Sequence, residues 1–263
     1  MNVQTTASAD GTTIAFHALG EGPAVVVVGG ATNRKTDWLE LAEALAADGF
    51  TGVTYDRRGR GESGDTRPYA VEREIEDLAA VIAATGGSAG VHGVSSGGAL
   101  ANRATAAGLP ITSLSTFETP YRVGDAPTPP ADYVEHLQSL YDADDADAML
   151  EYFMVAGVGQ PAEQVAAMKE MPFWADLASI GRTVLYDGYC LGGSQAPLPA
   201  DLLASIRVPV LALGSTGSPD WLRNASKAAA AAVPDGRYLE LEGEFHSAPT
   251  HVLAPALAAH HHR

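Results

Sequence analysis

Cysteine is almost absent from this chain. Cys190 stands alone, so no internal disulfide is possible and a reducing compartment is the simpler expectation; the thiol reads as a small buried hydrophobe with no assigned chemistry. Basic residues are scarce as well. Sixteen Lys and Arg against 32 Asp and Glu leave a formal net charge of −16, which provides no basic stripe for phosphates. Nucleic acid and membrane surfaces are therefore not expected as partners, and small molecules are. No apolar run reaches the length of a membrane span, and the opening MNVQTTASADG has neither a basic start nor an apolar core, so a cytoplasmic location is expected. Without export, the sequon Asn224-Ala225-Ser226 carries no meaning. No cofactor and no metal site is expected.

What is present is an alternation of β-branched runs with amphipathic Ala/Leu stretches over 263 residues, enough for one large α/β domain carrying an insertion. Strands are expected at Gln4 to Ser8 and Thr12 to Ala18, joined at the Asp10-Gly11 turn, at Ala24 to Gly30, at Gly52 to Tyr55, and ending near Phe117, Leu213 and Leu241. The run AVVVV has no polar alternation, as suits a strand covered on both faces. Helices are expected at Thr36 to Ala47, Val71 to Ala84, Trp221 to Ala232 and Pro249 to Ala259. There is no internal repeat.

The chemistry concentrates in SAGVHGVSSGGALANRATAA, residues 88–107: a short strand, a turn with glycine at both corners, then an Ala-rich helix. Gly93-Val94-Ser95-Ser96-Gly97 fits GxSxG, a turn that lifts a serine hydroxyl to the top of a parallel sheet at the positive end of a helix. Gly86-Gly87-Ser88-Ala89-Gly90 matches the same pattern, but Ser88 precedes the strand, and only Ser95 has the strand-turn-helix setting. Ser95 is the candidate nucleophile.

Together with YDRRGRGES after the second core strand, and with VVVVGGATN, YAVEREIEDLAA and SPDWLRNA, this order resembles the α/β-hydrolase superfamily, in particular a group of small, esterase-like bacterial hydrolases. The resemblance implies a mostly parallel eight-stranded sheet flanked by helices. It divides the chain into a core domain, residues 1–119 and 207–263, and a helical cap, residues 120–206, where the strand alternation breaks.

The resemblance also suggests roles for individual residues. His246, just past the last strand in LEGEFHSAP, stands where such enzymes carry the catalytic base; His251 is its one rival, and His17, His92 and His136 read as packed or solvated. The terminal AHHHR reads as a frayed tail. The usual GxxD acid is missing, because the run after the penultimate strand is GSTGSP. Glu118 closes the strand beside the nucleophile strand and is the preferred acid; Asp220 is the alternative, and a site without an acid is the third possibility. Backbone N–H groups of Ala31 and Ser96 are expected to form the oxyanion hole, Gly29 having replaced the family's usual histidine there. Thr32 and Asn33, with Met154, Phe173, Trp174 and Tyr186 from the cap, are expected to meet substrate, about half of the cap's Met and aromatic side chains packing it instead. Asp56, Arg57, Arg58 and Arg60 are expected to hold a turn.

The expected reaction is serine hydrolysis of a small, mostly apolar carboxylic ester or lactone through an acyl-enzyme. Two other classes are compatible with the missing GxxD acid: a non-hydrolytic lyase, cyclase or perhydrolase, and a ligand-binding member without turnover.

Overall fold

A computed structural model describes residues 2–262. Eight strands form one sheet: β1 (Gln4–Ala7), β2 (Thr13–Leu19), β3 (Ala24–Val28), β4 (Thr51–Tyr55), β5 (Ala89–Val94), β6 (Ile111–Phe117), β7 (Val210–Ser215) and β8 (Gly236–Leu241). Their spatial order is β1-β2-β4-β3-β5-β6-β7-β8. The first two pairings are antiparallel and the rest are parallel.

The five residues of β3 are all buried, and their alternation shows why the run has no polar member. Val26 and Val28 pack on one face with Leu78, Val81, Ile82 and Leu100, whereas Val25 and Val27 pack on the other with Leu41, Leu45, Phe50 and Leu257. Successive side chains of a strand point to opposite faces, so a strand roofed by helices on both sides needs apolar residues throughout. Each fully buried Val or Leu contributes about 2 kcal/mol by leaving water.

Helices α1 (Leu39–Ala47), α2 (Val71–Ala84) and α3 (Ser96–Ala106) connect the early strands. Between β6 and β7 lies a helical insertion: α4 (Tyr133–Asp142), α5 (Ala146–Tyr152), α6 (Ala162–Lys169), α7 (Phe173–Ala178), α8 (Val184–Cys190) and α9 (Ala200–Ser205). It has apolar clusters of its own, one around Tyr133, Leu137 and Met149, the other around Leu150, Val165 and Trp174. The chain then returns to the sheet with α10 (Asp220–Ala232) and α11 (Thr250–His261).

The terminal histidines are not frayed. Helix α11 continues through His261, whose ring nitrogens meet Ser113 Oγ at 2.7 Å and Ser115 Oγ at 3.0 Å, while His260 Nε2 lies 2.9 Å from the Leu114 carbonyl. Two serines and a backbone carbonyl of β6 give these imidazoles fixed polar partners inside the fold. Arg263 lies outside the described residues. No helix among the described residues is long and apolar enough to cross a membrane.

Candidate active site

Ser95 joins β5 to α3 at φ +54° and ψ −126°, a strained conformation for a residue with a side chain. The turn closes because its corners are glycines: a Cβ on Gly97 would lie 2.2 Å from the Val28 carbonyl oxygen, and one on Gly93 would lie 2.6 Å from that of Gly97. Ser88 is an exposed loop residue between α2 and β5.

Phe117, the last residue of β6, ties Ser95 to Glu118. Its carbonyl accepts the Ser95 amide at 2.8 Å, and the next residue is Glu118. The Glu118 carboxylate is fully buried and reaches across to the loop after β8, where Oε2 lies 2.8 Å from His246 Nδ1. Its other contacts come from the segment where a GxxD acid was missing: the Ser215 amide donates to Oε1 at 2.7 Å and the Ser218 hydroxyl to Oε2 at 2.9 Å. Ser218 Oγ also accepts the His246 amide at 2.8 Å, so one hydroxyl positions both partners. A carboxylate on Nδ1 leaves Nε2 as the ring's free acid–base atom. The His246 ring lies 6.3 Å from that of Phe117, centroid to centroid. The Ser95 hydroxyl makes no hydrogen bond among the described residues; contacts between nucleophile and base commonly tighten only when substrate binds.

Asp220 is elsewhere. Its side chain is 83% exposed and pairs with Arg223 on the first turn of α10. His251 is exposed on α11, and His136 packs on the Tyr152 ring at 4.3 Å. His17 is buried with Nδ1 3.3 Å from the Asn2 carbonyl. His92 is fully buried against Ser115, and burial, reinforced by His260, pushes its pKa from 6.5 down to about 3. The Cys190 thiol is also fully buried, which pushes its pKa up to about 12 and keeps it unreactive.

Ala31 follows the end of β3, and no acceptor among the described residues takes its amide. Ser96 opens α3, so its N–H is a first-turn donor without an intrahelical acceptor. Asn33 is committed to the loop itself, its Oδ1 accepting the Gly30 amide at 2.9 Å, and Thr32 Oγ1 donates to the Ala31 carbonyl.

The side chains expected to wall a pocket are placed differently. Met154 and Trp174 pack inside the insertion with Leu150 and Val165. Tyr186 is buried, stacked on Tyr69 at 3.8 Å, and its hydroxyl is engaged by Asp65 and Tyr141. Phe173 is 47% exposed. An insertion of short helices must assemble a core of its own, and its largest apolar side chains serve that core first. Phe245 was not singled out from the sequence, yet it precedes His246, its ring 6.1 Å from the imidazole, and is 59% exposed. A large aromatic directly before the candidate base, in GEFHS, was the signal available.

The four charged residues of the DRRGR run are all buried. Asp56 accepts the Lys35 amide, the Lys35 ammonium and the Glu62 amide, closing two loops together. Arg57 is clamped by Glu74, and Arg58 by Asp77. Burial opposes the ionised form of Glu74, but Arg57 outweighs it and holds the carboxyl below its ordinary range. Removing one partner from such a pair commonly costs about 3 to 5 kcal/mol, because the other charge is left buried alone.

A strained serine at a strand-helix turn and a carboxylate-bound histidine on the loop after the last strand, on a sheet of this order, define a hydrolase fold of the α/β type. The chain belongs to the alpha/beta hydrolase family, whose model matches residues 25–258. It is similar to an alpha/beta hydrolase from Sphaerobacter thermophilus, at 45% identity over 97% of this chain and 99% of that one, with a TM-score of 0.88. Its fold is shared by the enol-lactonase from Burkholderia xenovorans (21% identity, 97% and 96% coverage, TM-score 0.68). It is shared too by a thermophilic esterase from Thermogutta terrifontis (22% identity, 98% and 96% coverage, TM-score 0.68).

Proposed function

We propose that this protein is a serine hydrolase that cleaves a small, mostly apolar carboxylic ester or lactone through an acyl-enzyme. The observation that carries the reading is the Glu118–His246 contact at 2.8 Å, on a strand end whose neighbour presents Ser95. Nδ1 is occupied by the carboxylate, so Nε2 takes the Ser95 proton as the hydroxyl attacks the carbonyl carbon. The same proton passes to the departing alkoxide when the tetrahedral intermediate collapses. Water then attacks the acyl-enzyme by the same route and releases the acid. The Ala31 and Ser96 amides hold the oxyanion in both halves of the cycle.

Residues 120–206 act as a cap over this site, and Phe245 flanks the substrate's apolar group. The solved esterase and enol-lactonase of the same fold support the choice of ester or lactone. The carboxylate on His246 supports this reading over a non-hydrolytic or ligand-binding one, both of which were kept open by the absent GxxD acid. The test is turnover of a p-nitrophenyl ester panel by the wild type and by Ser95→Ala. Loss of turnover in a folded variant supports the reading, and an unchanged rate overturns it.

A further inference from the structure

Asp187 lies on α8, in the helical insertion, and is 3% exposed. Its carboxylate receives three groups from the core. Oδ1 accepts the Ser96 hydroxyl at 2.7 Å and Arg57 Nη1 at 2.6 Å, and Oδ2 accepts Arg60 Nη2 at 2.8 Å. Both guanidiniums continue to the loop after β3: Arg57 Nη1 donates to the Gly29 carbonyl at 3.3 Å, and Arg60 Nη1 donates to the Gly30 carbonyl.

The last contact bears on the chemistry, because the Gly30 carbonyl and the Ala31 N–H belong to one peptide unit. That unit is planar and trans, so fixing the direction of its C=O fixes the N–H on the opposite side. A charged donor on the carbonyl also polarises the amide and makes it a better donor. Ser96, whose side chain Asp187 holds, supplies the other amide of the oxyanion hole. A lone carboxylate here would oppose a developing oxyanion. Two arginines against Asp187 and Glu74 leave the group neutral, and its directed dipoles remain.

We propose that Asp187 is a positioning residue that aligns both oxyanion-hole donors at once, Ser96 through its hydroxyl and Ala31 through Arg60 and the Gly30 carbonyl. The proposal rests on the serine-hydrolase reading above. It makes docking of the insertion a condition for fast chemistry: α8 completes the hole from the far side of the loops it touches.

Ser96→Ala is the informative variant, since it cuts one link while Asp187 keeps both arginines. Steady-state rates on a p-nitrophenyl ester and inhibition by a trifluoromethyl ketone, which mimics the tetrahedral intermediate, are measured for wild type, Ser95→Ala, Ser96→Ala, Asp187→Asn and the Ser96→Ala/Asp187→Asn double variant. Ser96→Ala is expected to lower kcat by roughly tenfold with KM changed less than about twofold, and to weaken the ketone by a similar factor. In the Asp187→Asn background the same change is expected to cost less than it does in the wild type, because an amide oxygen accepts the serine hydroxyl more weakly than the carboxylate does. Wild-type kcat and ketone affinity in Ser96→Ala, or losses that multiply in the double variant, overturn the proposal. Should Asp187→Asn not fold, Ser96→Ala alone decides. Turnover that survives Ser95→Ala overturns the hydrolase reading, and this proposal with it; Ser95-dependent turnover with a neutral Ser96→Ala overturns the positioning role only.

Discussion

Glu118 Oε2 and His246 Nδ1 lie 2.8 Å apart, and both residues hold a left-handed backbone, at φ +46° and +53°. Six non-glycine residues among those described have positive φ, and four of them are Thr32, Ser95, Glu118 and His246. Such conformations cost on the order of 1 to 3 kcal/mol each and persist only where surrounding contacts enforce them. Here those contacts are the Ser215 amide and the Ser218 hydroxyl, which fix the carboxylate and the histidine loop together.

Glu118→Gln tests the pair. The amide nitrogen would face Nδ1 as a donor and favour the tautomer that carries its proton on Nε2, where the ring must accept the serine's. kcat on a reactive ester is expected to fall by about three to four orders of magnitude, with the fold retained. Asp220→Ala should stay within about twofold of wild type, since an exposed pair with Arg223 contributes little. Equal losses in the two variants would contradict the assignment.

The elbow was legible because it is local: strand, turn and helix follow one another within 20 residues, and two glycines mark the corners. The place of Glu118 at the rim beside the elbow required one further inference, that β6 lies beside β5, which parallel topology supplies. Asp187, Lys35 and Glu74 gave no such signal. Asp187 meets Ser96 across 91 residues of chain, and Glu74, in the first turn of α2, has the sequence of an ordinary solvated helix start. Buried ion pairs depend on how an insertion docks, and no short-range pattern encodes that. The same reason explains Tyr186 and Trp174, whose size suggested a ligand wall while the insertion's own core claimed them.

Gly97→Ala probes the steric basis of the turn. Its Cβ would lie 2.2 Å from the Val28 oxygen and 2.6 Å from that of Gly29, all rigid backbone. Thermal or denaturant unfolding should show a loss of about 3 kcal/mol or more, together with loss of turnover. A variant of wild-type stability would contradict the packing described.

Phe245→Ala should raise KM severalfold for esters with apolar acyl or alcohol groups, about three- to tenfold, and leave kcat nearly unchanged, because the ring offers apolar area without touching the reacting atoms. A fall in kcat alone, at constant KM, would place the ring's influence on His246 instead.

Acid should destabilise the fold through the buried imidazoles behind β6. Burial first, then neighbouring histidines, lowers the pKa of His92 from 6.5 to about 3 and that of His261 well below its ordinary value. Between these limits the unfolded chain binds protons that the folded chain refuses. The contribution of His92 is therefore intact above about pH 6.5 and declines as pH falls towards 3, by up to about 1.4 kcal/mol per pH unit. His92→Gln should flatten the fall in Tm between pH 7 and pH 5, measured by calorimetry; an unchanged slope would contradict the assignment.

The nucleophile itself can be read directly with a fluorophosphonate probe followed by peptide mapping. One adduct per chain is expected on the hydroxyl of Ser95, absent in Ser95→Ala and formed far more slowly in His246→Ala. A folded protein that resists the probe, or one labelled at Ser88 or Ser96 with Ser95 untouched, would contradict the account.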